Sequence, residues 1–380
     1  MDFLKKETQS AFQVARENIL NQCIGCECCL EECFLLQQIG ETPDQIAERG
    51  PTTKEAFSCF LCGLCSQICP FFLDIGQMFN LKRVEALKND EVSASDYCYL
   101  FPDREVNIMS LYRELTNTNY AGLNVDSTAA VAFFPGCTML TYAPKVTIAS
   151  FEFLQNRYEA ITLLTDCCGL PLRQFGLALR ADAYIKSLKN KLSELQAKTL
   201  VVACPNCYYE LRKNFINSDI KIKNIYEVMR ESLTGNRGLK FVPAITIHDS
   251  CHDRYEGIFA RQVREILEKM GCNIVEMEHS FDRTICCGSG GQVTHFQLEL
   301  ANSNVECRLK EAGKVGSEML VSYCMACVLN FAMHSEKIKS KHALNLILGV
   351  DEKYSGIKEK SRALFSGPEG EKNWELLLAN

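Results

Sequence analysis

Eighteen of the 22 cysteines in this 380-residue chain fall into four groups, and no other feature limits its fold as strongly. Cys23, Cys26, Cys29 and Cys33 follow C-x2-C-x2-C-x3-C. Cys59, Cys62, Cys65 and Cys69 repeat that spacing, with Pro70 behind them. Two larger sets lie downstream. The first holds Cys137, the adjacent pair Cys167 and Cys168, and Cys204 with Cys207. The second holds Cys251, the pair Cys286 and Cys287, and Cys324 with Cys327. The gaps within them are 29 and 35 residues in the first set and 34 and 36 in the second. Corresponding cysteines are offset by 114 to 120 residues, the mark of an internal duplication.

Each short run carries the spacing of a bacterial two-cluster ferredoxin. There, three close thiolates wrap one corner of a 4Fe-4S cube and the fourth serves the other cluster. Cys23, Cys26, Cys29 and Cys69 are thus expected to share one cluster. Cys59, Cys62, Cys65 and Cys33 are expected to share the second. A zinc ribbon fits less well, because it separates its C-x2-C pairs by about 15–20 residues. Each downstream set supplies five thiols, one more than a tetrahedral metal or a cubane needs. Cys28, Cys98, Cys272 and Cys307 have no place in these groups. The last three read as small buried hydrophobes, and Cys28 as a spare or a register alternative.

Composition narrows the setting. With 41 Lys and Arg against 47 Asp and Glu, the formal charge is −6, and without basic runs nucleic acid is not an expected partner. No stretch approaches the roughly 18 apolar residues of a membrane span. The N-terminal residues are charged throughout and lack an apolar secretory core. Grouped thiols without such a leader point to metal or redox chemistry in a reducing, cytoplasmic compartment rather than to disulfides.

Residues up to about 20, LKRVEALKND and DREVNIMSLYRELTN read as helices, and Asn117–Thr128 as a linker. Beyond it, short apolar runs alternate with helical periods such as ADAYIKSLKNKLSELQ and RQVREILEKMG. The runs AAVAFFPGC, AITLLTDCCG and TLVVACPNC belong to the first copy, and PAITIHDSC, NIVEMEHSF and EMLVSYC to the second. That alternation predicts βαβ units on parallel sheets, with the thiols gathered beyond the carboxyl ends of the strands. His248, Asp249 and His252 crowd Cys251. They read first as groups that orient a ligand loop and second as proton donors, with His252 the candidate. Arg173 reads as solvated rather than as a substrate contact. The glycine-rich stretch after Cys287 lacks a dinucleotide fingerprint.

From about residue 20 to 335 the chain resembles heterodisulfide reductase. The two five-cysteine sets look like the duplicated CCG domains of its catalytic subunit. The paired runs look like its small iron–sulfur subunit, and together they resemble the fused single-chain form. The 29-residue gap before Cys167 is slightly shorter than usual for that family. The resemblance implies a helical bacterial-ferredoxin-type two-cluster domain followed by two duplicated Rossmann-like α/β CCG domains, an α+β and α/β combination. The expected boundaries are 1–118, 129–240 and 241–349, with a C-terminal surface arm over 350–380. It further implies a noncubane 4Fe-4S cluster on each five-cysteine set, the two facing each other across a pocket where a disulfide is cleaved. Cys137, Cys167, Cys168, Cys204 and Cys207 would hold one, and Cys251, Cys286, Cys287, Cys324 and Cys327 the other. The cofactors expected are two cubane and two noncubane clusters, with zinc in one CCG domain the weaker alternative.

The expected partners are a flavoprotein donor or electron-bifurcating subunit, or a hydrogenase, formate dehydrogenase or membrane cytochrome module that would hold the chain at a membrane surface. The expected acceptor is a small-molecule disulfide. Exposed clusters suit an anaerobe. Related modules also serve as electron-transfer subunits of flavin-linked 2-hydroxyacid or glycerol-3-phosphate dehydrogenases or of bifurcating complexes. In that alternative no disulfide is bound.

Overall fold

The computed structural model describes residues 10–123, 128–232, 244–317, 319–335 and 337–379. Residues 1–9 of the expected first helix, 124–127 of the expected linker and the expected boundary at 240/241 lie outside the described residues.

The N-terminal part is a set of short helices joined by the cysteine runs. The helix Ala11–Gln22 opens with a capping box between Ser10 and Gln13 and stops at Cys23, where the backbone becomes extended. Both runs then place left-handed residues at matching positions. Gly25 corresponds to Leu61 and Glu27 to Gly63, all at φ between 52° and 72°. A leucine and a glutamate in that region each cost roughly 1–2 kcal/mol. Two non-glycine residues hold a geometry that the loop, not the residue, demands. The helix Ile75–Lys88 follows, capped by Asp74, which accepts from the Gln77 amide at 2.8 Å.

The first repeat holds β1 (Val131–Phe134), β2 (Ile161–Leu163), β3 (Thr199–Val202) and β4 (Lys221–Asn224) in the parallel order β2-β1-β3-β4. The second holds β5 (Ile245–His248), β6 (Met319–Ser322) and β7 (Lys339–His342), parallel in that order. β1, β2 and β5 are buried along their whole length, as strands covered on both faces must be. β4 and β7 escape the sequence reading because they are polar edge strands, KIKN and KSKH, whose lysines shield the open edge.

NIVEMEHSF departs from expectation. It contributes a single parallel bridge, Ile274 to Ile245, and no strand among the described residues. Its other groups are engaged elsewhere. His279 sits between Glu311 and Glu32, and the Phe281 amide donates to Asp249 at 2.7 Å. The second repeat therefore lacks a full counterpart of β2 among the described residues.

One apolar core runs through both repeats, from Phe133 and Leu200 to Ile247 and Phe259. The ferredoxin-type part shares a core with the second repeat, where Phe60, Met78 and Phe79 meet Val293 and Ala301. It meets the first repeat through Phe57, Phe101 and Phe175. The segment expected as an arm carries helices Ile357–Leu364 and Gly367–Leu378, and Trp374 lies edge-on to Tyr99 at 5.3 Å. Glu352 is buried and accepts from the Lys145 and Val146 amides at 3.1 and 3.0 Å, so this end of the chain is stitched to the first repeat. No helix among the described residues is long and apolar enough to cross a membrane.

Candidate metal centre

The fold brings the cysteines together as four neighbouring groups. Cys23, Cys26 and Cys29 line one cleft with Cys69, the last residue of the other run. Cys28 lies at the same cleft, exposed, with its thiol 3.7 Å from the Cys26 carbonyl. Cys65 lies in the field of Cys33, Cys59 and Cys62, the reciprocal set. Burial pushes Cys29, Cys59 and Cys62 up to about 12. Thiols so placed give up their protons readily only to a metal that takes the charge.

The ten downstream thiols form one continuous series of neighbours. Cys137 meets Cys167 at 3.8 Å, and contacts continue through Cys168 and Cys207 to Cys204. Cys251 meets Cys286, and contacts continue through Cys287 and Cys327 to Cys324. Cys204 and Cys324 then join the two halves. The order in one half mirrors the order in the other, as the duplication requires. Hydrogen bonds from Cys167 and Cys207 bring Cys168 down to about 6, and those from Cys251 and Cys287 bring Cys286 well below the usual thiol range. Five converging soft donors per half suit a thiophilic iron–sulfur group, and exceed what one zinc ion takes.

Secondary structure explains the convergence. Cys137 follows β1 and Cys204 follows β3, the two strands flanking the point where the order reverses. Pro205 then starts a helix that returns Cys207 to the same place. Gly136, at φ 93°, is required because a Cβ there would lie 2.9 Å from the Cys204 Cβ.

Two arginines lock the ferredoxin-type part onto this centre. Arg83 is fully buried and donates to four carbonyls: Ala56 at 2.8 Å, Cys59 at 2.6 Å, Gln174 at 2.6 Å and Gly291 at 2.8 Å. Burial lowers it to about 10, against the field of Cys59, which favours its charge. Arg254 donates to the Cys62 carbonyl at 3.1 Å and to the Thr284 carbonyl at 2.5 Å. A Cβ on Gly290 would lie 2.6 Å from the Phe60 carbonyl and 3.3 Å from the Cys286 sulfur. The second ferredoxin-type set thus abuts the second five-cysteine set.

A cavity of about 370 Å³ opens over Cys137, Cys167, Cys168 and Cys204, walled on the far side by Met325 and Leu329 of the second repeat. Arg113 lines it. Its guanidinium donates to Thr141 at 3.0 Å and pairs with no carboxylate among the described residues. Asn206 and Gln292 line it too, each with a buried side-chain oxygen that has no partner among the described residues. Arg173, by contrast, is held by Glu210 at 2.7 Å and Asp182 at 2.8 Å, so it is ion-paired rather than solvated. Sequence reading missed Arg113, because only the fold carries residue 113 beside cysteines 137 and 167.

The groups around Cys251 divide. Asp249 is buried, pairs with both terminal Arg264 nitrogens at 2.7 and 2.9 Å, and accepts from Phe281. It is an anchor for the loop. His252 Nδ1 lies 3.5 Å from the Cys251 sulfur, with burial holding its protonation below the usual range. Asp253 was not anticipated. It is buried and ties the repeats together, accepting from Tyr209 of the first and from Tyr323 at 3.0 Å.

Comparison with known proteins agrees with this architecture. Residues 131–212 and 245–332 match the CCG cysteine-rich domain, and residues 22–74 match the 4Fe-4S dicluster domain. The chain is an iron–sulfur protein that joins a 4Fe-4S dicluster domain to two CCG domains. Its relatives include a component of the dihydromethanophenazine:CoB–CoM heterodisulfide reductase of Methanosarcina barkeri, 22% identical over 77% of this chain and 77% of the relative. A component of the fumarate reductase (CoM/CoB) of Methanothermobacter marburgensis is 22% identical over 88% of this chain and 73% of the relative. Lactate utilization protein A 1 of Bacillus mycoides is 23% identical over 60% of this chain and 99% of the relative. The chain is thus an iron–sulfur electron-transfer protein of the oxidoreductases, related to these components of heterodisulfide reductase and fumarate reductase.

Proposed function

We propose that the chain carries electrons inward from the exposed first ferredoxin-type set and delivers them to a small disulfide bound at the five-cysteine sets. Iron–sulfur clusters, when bound, exchange electrons one at a time, whereas a disulfide needs two. The balance is RSSR′ + 2 e⁻ + 2 H⁺ → RSH + R′SH. Two adjoining thiol sets meet that count, one for each sulfur. The observation that carries the reading is the Cys204–Cys324 contact, which joins the two sets beside the cavity.

The ligand assignments are those of the sequence analysis, with two cubane and two noncubane clusters on Rossmann-like CCG domains. Arg113 orients an anionic substituent of the disulfide, Met325 and Leu329 exclude water from the far wall, and His252 relays a proton near Cys251. The donor is a separate redox protein, such as a flavoprotein or bifurcating subunit. It docks at the first set, where Cys26 is exposed and Ile24 and Phe72 are 66% and 71% exposed. No Lys or Arg occurs from Glu17 to Glu48 or from Glu55 to Leu81, so that face suits a donor with a basic rim.

The test is an anaerobic iron and sulfide determination followed by oxidation with and without thiols. About sixteen irons per chain and a paramagnetic signal that appears only with thiol support the reading. About eight irons after reconstitution, or no response to thiols, overturn it. The second outcome would favour a pure electron conduit, the alternative in which no disulfide is bound.

A further inference from the structure

The two five-cysteine sets differ at a buried position where the strand meets the thiols. β1 and β5 each end three residues before the first cysteine of their set, so Phe134 and His248 occupy equivalent sites. Both are buried, at 0% and 1% exposure. In the first repeat this residue is a hydrocarbon. In the second it is a polar ring, and one of its nitrogens lies within 4.8 Å of the Cys287 and Cys327 sulfurs.

The ring's orientation and tautomer follow from its neighbours. Arg308 is fully buried, and its Nε donates to His248 Nδ1 at 3.4 Å. A guanidinium only donates, so Nδ1 must accept and the neutral ring carries its proton on Nε2. Phe331 meets the ring edge-on at 4.8 Å and limits its rotation. Nε2 is buried and has no hydrogen-bond partner among the described residues. A buried donor left unpaired costs roughly 1–3 kcal/mol, so its presence calls for an acceptor. Ser250, two residues on, also has a buried hydroxyl without a partner among the described residues, where the first repeat has Gly136.

We infer that His248 Nε2–H donates a hydrogen bond to the sulfur-rich group held by the second set, and that this holds the second set at a higher reduction potential than the first. The inference rests on the proposal that both sets hold clusters. Hydrogen bonds to cluster sulfurs stabilise the more negative, reduced state and so raise the potential. Nε2 is not a ligand, because with its proton it has no lone pair to give. The first set also assembles five thiols without a histidine. His248 is a positioning and tuning residue. The asymmetry has a direction, since the second set is the one that abuts the ferredoxin-type part through Phe60, Cys62 and Arg254. Electrons arriving along that route reach the higher-potential set first, so the sets fill in order.

The test is an anaerobic redox titration followed by electron paramagnetic resonance, with iron counted in every sample. The wild-type chain should show two separated potentials for the five-cysteine sets. His248→Phe, which copies the first repeat, should lower the upper one. At a fixed potential the reduced-to-oxidised ratio should fall about tenfold, equivalent to about 59 mV for one electron, with iron and the other potentials unchanged. His248→Gln and His248→Met form a near-isosteric pair in which only Gln donates. Should His248→Phe fail to fold, the Gln variant must still lie above the Met variant. Unchanged potentials at full iron content overturn the inference, as does selective iron loss in His248→Phe, which would make the residue a ligand. Wild-type chain that takes no iron into these sets after reconstitution overturns instead the proposal beneath it.

Discussion

The Cys204 and Cys324 thiols are neighbours that act on one another across the boundary between the two CCG domains. They are equivalent residues of the duplication, and they are where its two halves meet. A contact between equivalent positions is what a pseudo-twofold arrangement produces at its axis. It makes a single ten-sulfur array from two domains that are separate in sequence.

Each half of that array should nevertheless lose its metal independently. Cys168→Ser should remove iron from the first set alone, and Cys287→Ser from the second alone, about four of roughly sixteen irons in each case. Iron and sulfide determination on the purified variants checks this. Loss from both sets in either variant would mean that the ten thiols bind as one unit.

Arg83 should be among the most costly residues to replace. Arg83→Met leaves the carbonyls of Ala56, Cys59, Gln174 and Gly291 without their donor. A destabilisation of about 3–5 kcal/mol is expected, measured as a lower denaturant midpoint of the metal-free chain. A change below ~1 kcal/mol would show that water replaces the guanidinium.

Gly291 sits at φ 57°, and a Cβ there would collide with the Cys59 carbonyl. Gly291→Ala should therefore push the second ferredoxin-type loop off the second repeat. Slowed electron passage between the two parts is the expected result, read by rapid-mixing kinetics, while each part keeps its iron. Unaltered transfer would mean that the backbone relaxes without separating them.

His342 gives the fold an acid-sensitive point. Its buried ring accepts from the Leu344 amide at 3.2 Å, and burial lowers its pKa to about 4. The unfolded chain binds that proton near pH 6.5, the folded chain only near 4. Stability from this group is therefore complete above about pH 6.5 and falls as the pH drops toward 4, by roughly 3 kcal/mol at most. His342→Asn, which keeps a cap acceptor, should flatten that part of the stability–pH curve. An unchanged slope would assign it to other groups.

Arg113→Gln should raise KM for an anionic disulfide about tenfold with little change in kcat, and should leave a neutral disulfide unaffected. Steady-state kinetics with one acceptor of each kind distinguishes the two. Equal effects on both would make Arg113 a structural contact to Thr141.

Much of this architecture is legible in the order of residues alone. Thiol chemistry imposes short fixed spacings, so the four groups and their duplication can be read without coordinates. Buried parallel strands are continuous apolar runs, so β1, β3, β5 and β6 can be read as well. β4 and β7 cannot, because an edge strand answers to solvent and its polar sequence looks like loop. The failed strand at NIVEMEHSF is the converse case: its local pattern is adequate, but His279 and Phe281 find stronger partners in Glu32, Glu311 and Asp249.

The sequence by itself determined which residues can hold metal and that they come in two pairs of equivalent sets. Spacing along a chain cannot say which sets touch, because that depends on how separate elements pack. Only the tertiary structure decided that Cys204 meets Cys324, that Arg83 joins three segments, and that Arg113 rather than Arg173 faces the cavity. It also separated His248 from Phe134. Their shared place at the end of a strand is written in the duplication. The unpaired donor is not, because it exists only where Arg308 takes one nitrogen and burial denies water to the other.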